Sequence, residues 1–204
     1  KGKENPVINE DKLVRDAHGK GTGKFAAHQI YDQAQGHGLG FGDVSGKGYG
    51  DFVLRTGWLE APAEPFKGQW TWHPDFDLGC ASVPILVVDV NQDGRNDLIV
   101  GQAHGDGLDG LEQCVDARGQ RPWKRHAIDP YTAQYHDLMW VDIDGDGACE
   151  LVTGKRHRAH CGHEAGEWDD LGIYYFKWNG ESFSKQVIAY GPIGAAKGCG
   201  IHFA

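Results

Sequence analysis

Two nine-residue stretches place oxygen-bearing side chains at a spacing that suits a hard cation. Asp89-Val-Asn91-Gln-Asp93-Gly94-Arg-Asn-Asp97 has them at positions 1, 3, 5 and 9. Asp142-Ile-Asp144-Gly-Asp146-Gly147-Ala-Cys-Glu150 repeats the frame. Calcium takes six to eight oxygen ligands, and a glycine at position 6 permits the sharp turn that gathers them. Asp89, Asn91, Asp93 and Asp97, with Asp142, Asp144, Asp146 and Glu150, are therefore the expected calcium ligands. A third stretch, Asp43-Val-Ser45-Gly-Lys47-Gly48-Tyr-Gly-Asp51, keeps the frame but carries Lys at position 5. Its ammonium is expected among Asp43, Ser45 and Asp51, in the cation's place, so this loop should be empty.

The second set of chemistry-bearing residues is rich in imidazole. His37 and His136 each stand six residues before the first Asp of an acidic loop, and His136 is followed by Asp137. Arg55, His104, and the run of Lys155, Arg156, His157, His160 and His163 follow apolar segments that leave those loops. His202 lies near the end of the chain. Arg grips carboxylate as a fork, Lys adds a point charge, and neutral imidazole moves protons or ligates transition metals. The expected ligand is a small anionic or polyhydroxylated molecule, held by His37, Arg55, His104, His160 and His202, with Trp58 stacking on a sugar ring. If there is turnover, His136 beside Asp137 is the candidate base, and Lys155 or Arg156 would stabilise a developing enolate. His104, His160 and His163 could hold zinc, though their spacing matches no standard site.

The elements that must position these groups are strands. A helical calcium hand would have Glu at position 12; here that position is Val100, in a β-branched run. The loops start 46 and 53 residues apart, a period of solenoids, propellers or arrays. A second repeated signal, aromatic-x-x-His, occurs at Phe25–His28, Trp70–His73 and Trp123–His126, with Phe183–Gln186 as a variant. Each unit then reads as four strands, and four-stranded units at this period are propeller blades. The blades are expected at about 36–76, 82–128 and 135–188, with part-blades at 14–31 and 198–204. Three blades and two part-blades cannot close a usual ring, so the chain should be a sector that packs against remaining blades or further domains. In such a blade, the start of strand one and the turn from strand two to three share a face. The histidines should converge there, opposite the acidic loops.

Composition agrees with an all-β fold: 204 residues, 31 of them Gly, and a single Met. A formal charge of −9 argues against a nucleic-acid backbone as partner. No apolar run approaches the roughly 18 residues of a membrane span, and no signal-peptide pattern is expected in residues 1–24. Five cysteines leave at least one thiol outside any internal disulfide, and one bridge, two or none all remain open.

DxNxDGxxD and DxDxDGxxE between apolar strands resemble the FG-GAP/VCBS repeat family, calcium-loop β-propellers also found in integrin α-subunits. The segments GHGLGFGDV (36–44), SVPILVVDVN (82–91), QYHD (134–137) and TGKRHRAH (153–160) resemble bacterial secreted proteins. That likeness implies a seven-bladed ring. A more distant likeness is to the propeller of aldos-2-ulose dehydratase, a sugar-processing enzyme. Lys47 and Ser45 depart from the family's loop. The resemblance implies a calcium-stabilised propeller, and the weak calcium affinity of such extracellular modules implies an extracytoplasmic home. Three functions stand: a small-ligand binding module, a carbohydrate-active lyase or dehydratase at the same mouth, and a protein-binding adhesion scaffold.

Overall fold

The computed structural model describes residues 7–33, 35–157 and 162–195. Strands β1 (Ile8–Arg15) and β2 (Gly21–Tyr31) form a hairpin. Three antiparallel sheets follow, each a four-stranded meander. The first holds β3 (Leu39–Gly42), β4 (Asp51–Leu54), β5 (Gly57–Glu60) and β6 (Thr71–His73). The second holds β7 (Leu86–Val88), β8 (Asp97–Gly101), β9 (Asp106–Gln113) and β10 (Trp123–Ala133). The third holds β11 (Tyr135–Val141), β12 (Glu150–Lys155), β13 (Leu171–Trp178) and β14 (Phe183–Gly191). No helix occurs among the described residues, so none is long and apolar enough to cross a membrane.

Each acidic loop joins the first two strands of a sheet, and each aromatic-x-x-His signal lies on a fourth strand or on β2, as the alternation requires. Three boundaries differ. β1 begins at Ile8, ahead of the part-blade expected from 14, and β14 runs to Gly191, past the expected 188. The second unit was expected to end near 128, but β10 runs on to Ala133, with register shifts after Ala127 and Asp129. Asp129 drives this extension by collecting local donors, described below.

Packing explains why β8 is buried at every position. Sheet two has neighbours on both faces. Leu98 and Val100 enter one core with Val44, Val53, Trp58 and Ile85 of sheet one and the segment after it. Ile99, pointing the other way, enters a second core with Tyr135, Leu138, Leu151 and Phe176 of sheet three. Each such side chain contributes about 1.5–3 kcal/mol relative to an exposed one. The hairpin joins the first sheet through Ile30, Leu54, Leu59 and Trp70. First strands lie side by side, with a parallel bridge between Gly40 and Ile85. That approach requires glycine, because a Cβ at residue 40 would sit 2.5 Å from the Ile85 carbonyl oxygen. Sheets stacked face to face with parallel first strands are compatible with a propeller-like arrangement.

Cys80, Cys114 and Cys149 are free thiols. Cys161, Cys199 and the expected part-blade at 198–204 lie outside the described residues.

Candidate functional site

Three sheets each send one imidazole to the end opposite the acidic loops. His37 leads into β3, His104 sits in the β8–β9 turn, and His136 lies near the start of β11. Ring centroids are 4.4 Å apart for His37 and His104, 5.7 Å for His37 and His136, and 6.4 Å for His104 and His136. The Nε2 atoms of His37 and His104 face each other at 3.1 Å, and His104 Nδ1 lies 2.6 Å from Glu164 Oε1. With the proton of His104 on Nδ1, its Nε2 accepts from His37 Nε2–H, giving a carboxylate–imidazole–imidazole chain that ends at exposed His37.

His136 owes its placement to a β-bulge. Tyr135 pairs with Lys155 and Leu138 with Thr153, so His136 and Asp137 together oppose Gly154. Such a bulge re-aims side chains and breaks the strict alternation of a strand. Both residues are buried. Within this cluster Glu164 lies at hydrogen-bond distance from His104, a carboxylate the sequence reading did not include.

Behind the imidazoles, Arg156 is 8% exposed and donates to the Ala103 carbonyl at 2.8 Å. The same nitrogen lies 3.4 Å from both His104 Nδ1 and Glu164 Oε2. Its Nε is buried without a hydrogen-bond partner. Burial lowers the Arg156 pKa, with Glu164 opposing. Lys155 is 1% exposed, and its ammonium donates to the Arg156 carbonyl at 3.4 Å. Burial lowers its pKa, against Asp169 and Glu167, which favour the charge. Lys155 therefore lies under the mouth and Arg156 at its wall.

Gln134 is a residue that the pattern did not single out. It is fully buried with φ 58°, in the left-handed region that costs an L-residue energy. Hydrogen bonds from backbone and side chain hold it there. Its amide donates to the Gly105 carbonyl at 2.8 Å, its carbonyl accepts from Arg156 N at 3.0 Å, and its side chain donates to Glu164 at 3.2 Å. Strain of this kind persists where surroundings over-determine it, and such places are often functional.

Not every expected residue joins this cluster. The Arg55 guanidinium turns to Asp77, 3.9 Å away. Trp58 is a core residue, 6% exposed, stacked on His73 at 4.2 Å and donating to Asp75 at 2.8 Å. It lines a cleft with Lys47, Glu60 and Trp123 on the flank of sheets one and two, so a sugar stacked on it would not meet the imidazoles. His163 is exposed. His160 and His202 lie outside the described residues, and with His160 so does part of the zinc set of His104, His160 and His163. His37 and His104, with Glu164 on the far nitrogen, have the donor types and carboxylate support of a two-imidazole metal site.

At the other end, the position-1 carboxylate of each acidic loop takes two backbone amides, those of positions 5 and 6 in the first two loops and of positions 4 and 6 in the third. Asp43 accepts from Lys47 N and Gly48 N at 2.9 and 2.8 Å. Asp89 accepts from Asp93 N and Gly94 N at 3.1 and 2.9 Å. Asp142 accepts from Gly145 N and Gly147 N at 2.6 and 3.0 Å. Gly48, Gly94 and Gly147 have φ of 85°, 84° and 92°. No atom lies within 4 Å of a Cβ built there, so glycine is required by conformation and not by space.

Position 9 separates the loops. Asp51 takes Ser45 N and Ala61 N, and Asp97 takes Val90 N and Gln113 N, so both oxygens of each are used. Burial raises the Asp97 pKa, and Asp93 and Asp89 add repulsion, against the two amides. Glu150 takes only Ile143 N, leaving Oε1 fully buried with no hydrogen-bond donor. Carboxylate oxygens of Asp142, Asp144 and Asp146 lie within 4.8 Å of one another, the only such group found among the described residues. With the orphaned Glu150 oxygen they fit a hard cation. In the second loop Arg95 pairs with Asp93. In the first, Lys47 does not sit among Asp43, Ser45 and Asp51 as expected. Its ammonium crosses to Glu60 on β5, because the Asp43 oxygens already serve backbone amides.

Compared with known proteins, the chain matches no family model and no curated protein.

Proposed function

We propose that this chain is a calcium-stabilised, extracytoplasmic, propeller-like module that binds a small carbohydrate-like or anionic ligand at its histidine mouth. One observation carries the reading: consecutive sheets each contribute an imidazole to one cluster, backed by buried Arg156 and half-buried Glu164. A scaffold alone has no need to gather polar groups there, since each could be solvated separately at lower desolvation cost. Asp142, Asp144, Asp146 and Glu150 would hold calcium in the third loop, with Asp89, Asn91, Asp93 and Asp97 in the second. The ion would supply cross-linking of the loop and no chemistry at the distant mouth. The test is calorimetry with glucuronate and with glucose, on the wild type and on His37→Ala and Arg156→Ala. Binding that weakens at least tenfold in both variants supports the mouth. Binding that neither variant alters, or none by the wild type, removes it.

The Glu164–His104–His37 chain favours a second reading, a lyase. A carboxylate that orients an imidazole is the arrangement that lets imidazole take a proton. His37 would accept the proton α to a sugar carboxylate. The C–H electron pair would form the double bond as the β C–O bond breaks, the leaving oxygen would take a proton from water, and His37 would return its own to solvent. Ultraviolet absorbance of an unsaturated uronate, present with wild type and lost with Glu164→Gln, would establish this. Binding without product would leave the module reading alone.

A further inference from the structure

The three sheets place one position in the same relation to their acidic loops. In sheet one Phe52 pairs with Leu59, so Asp51 faces Glu60. In sheet two Leu98 pairs with Leu111, so Asp97 faces Glu112. In sheet three Leu151 pairs with Phe176, so Glu150 faces Lys177. The residue opposite position 9 is thus Glu, Glu and Lys. Position 5 of the loops is Lys47, Asp93 and Asp146. The first and third loops hold the same charge pair with its signs exchanged: Lys47 of the loop reaches Glu60 of the strand, and Lys177 of the strand reaches Asp146 of the loop.

The two pairs differ in where the ammonium ends. Lys47 leaves its loop. Lys177 enters its own, with Nζ 2.5 Å from Asp144, 2.6 Å from Asp146 and 3.6 Å from the buried Glu150 Oε1 that has no hydrogen-bond donor. Three carboxylates from positions 3, 5 and 9 surround one ammonium, and these are the positions a calcium ion would share. An ammonium offers three donors and a single charge, against six to eight oxygens sought by a divalent ion.

We propose that Lys177 is a tethered cation that holds the third acidic loop in its metal-free form and must be expelled for calcium to bind, so that it sets the affinity and threshold of that loop. This rests on the calcium reading above and adds a residue to it. The side chain sits on a strand, outside the loop, so expulsion needs only a rotamer change toward solvent. Its side chain is already 36% exposed. Two consequences follow. Calcium occupancy costs the displacement of one cation, which lowers affinity. The loop also keeps its shape without calcium, because charge repulsion among Asp144, Asp146 and Glu150 is already screened.

The experiment compares wild type with Lys177→Met, which keeps the aliphatic stem and removes the charge. Calcium alone is titrated by calorimetry in an Asp93→Asn background that weakens the second loop. Terbium luminescence sensitised by Trp178, the next residue, reports the third loop directly. Lys177→Met is expected to bind calcium about tenfold tighter, the effect of removing one unit charge beside the ion in a solvated site. It is also expected to melt lower than wild type in chelator and to regain that loss with calcium. Equal calcium affinity in both proteins overturns the role of Lys177 while leaving the calcium reading intact. A lower melting temperature with no affinity gain shows a plain salt bridge and also overturns it. No binding by either protein overturns the calcium reading, and the Lys177 role with it.

Discussion

Asp129 ties sheet two to sheet three, and its replacement gives the sharpest test of how the mouth is held. Its carboxylate accepts from the Tyr135 hydroxyl at 2.7 Å, Thr132 Oγ1 at 2.9 Å, Tyr131 N at 3.0 Å and Lys185 Nζ at 2.5 Å. Tyr135 opens the strand that carries His136, and Lys185 comes from β14 and also lies over the Tyr174 ring at 3.8 Å. Burial alone would raise the Asp129 pKa. Hydrogen bonds from Lys185, Tyr135, Tyr131 and Thr132 outweigh it and hold the carboxyl down at about 2, from 3.8. At roughly 1.4 kcal/mol per pH unit, that drop is worth about 2 kcal/mol of stability. A carboxyl held below its unfolded value contributes fully above that value, near 3.9, and loses its contribution as pH falls toward 2. Asp129→Asn keeps the shape, removes the charge and leaves Lys185 without its anion. Urea unfolding followed by tryptophan fluorescence, in chelator, should show a loss of about 2 kcal/mol at pH 7. The gap between wild type and variant should close from about pH 5 downward and nearly vanish by about pH 2. A gap equal at both ends of that range, or none at pH 7, would refute the charge-based account.

Three further outcomes follow from the loops and the sheet surfaces. Gln92 holds position 4 of the second loop at φ 59°, where the other loops have Gly46 and Gly145; Gln92→Gly should stabilise by about 0.5 kcal/mol, since left-handed strain of about 1 kcal/mol is partly offset by added chain entropy. Thermal melts in chelator would show a loss instead if the conformation were unstrained. The first loop should take no calcium, because Lys47 puts a cation at position 5 where the other loops have Asp93 and Asp146; an ion refined there at about 2.3–2.6 Å from its oxygens would contradict this. Residues 1–204 alone should self-associate, because Phe25, Met139, Val187 and Tyr190 expose apolar surface on the outer sheets; sedimentation showing a monodisperse monomer would contradict it.

The sheets and loops were legible in the sequence because their signals are local. The position-6 glycines, the alternation around Leu98–Val100 and the aromatic-x-x-His strands each report a backbone state within a few residues. Convergence of His37, His104 and His136 was also legible, since it follows from topology once four-stranded units are assumed. The partners of those groups were not. Glu164 directly follows a stretch that reads as basic from Lys155 to His163, which masks its acid in the pattern. Gln134 was hidden because nothing in a side chain announces a left-handed backbone. Trp58 was misplaced because third-strand residues alternate between a core and an open face, and only the pairing of Trp58 with Val53 and His73 settles which. Lys47 was misplaced because the position-1 carboxylate was assumed free for a cation, whereas it is committed to amides.

Those committed carboxylates limit what calcium would do under the proposed reading. In every loop the position-1 Asp already takes two backbone N–H groups, and in two loops position 9 takes two more. The turn is therefore specified by hydrogen bonds before any ion arrives. An ion that does not create the turn can still stabilise it, by relieving the repulsion among carboxylates that the turn brings together. The size of that relief depends on how much repulsion an internal cation has already removed. Lys47, Arg95 and Lys177 remove different amounts, by leaving the loop, by pairing one carboxylate, and by entering among three. Loops of one backbone shape can thus respond differently to the same calcium concentration, and the difference lies in where one basic side chain ends.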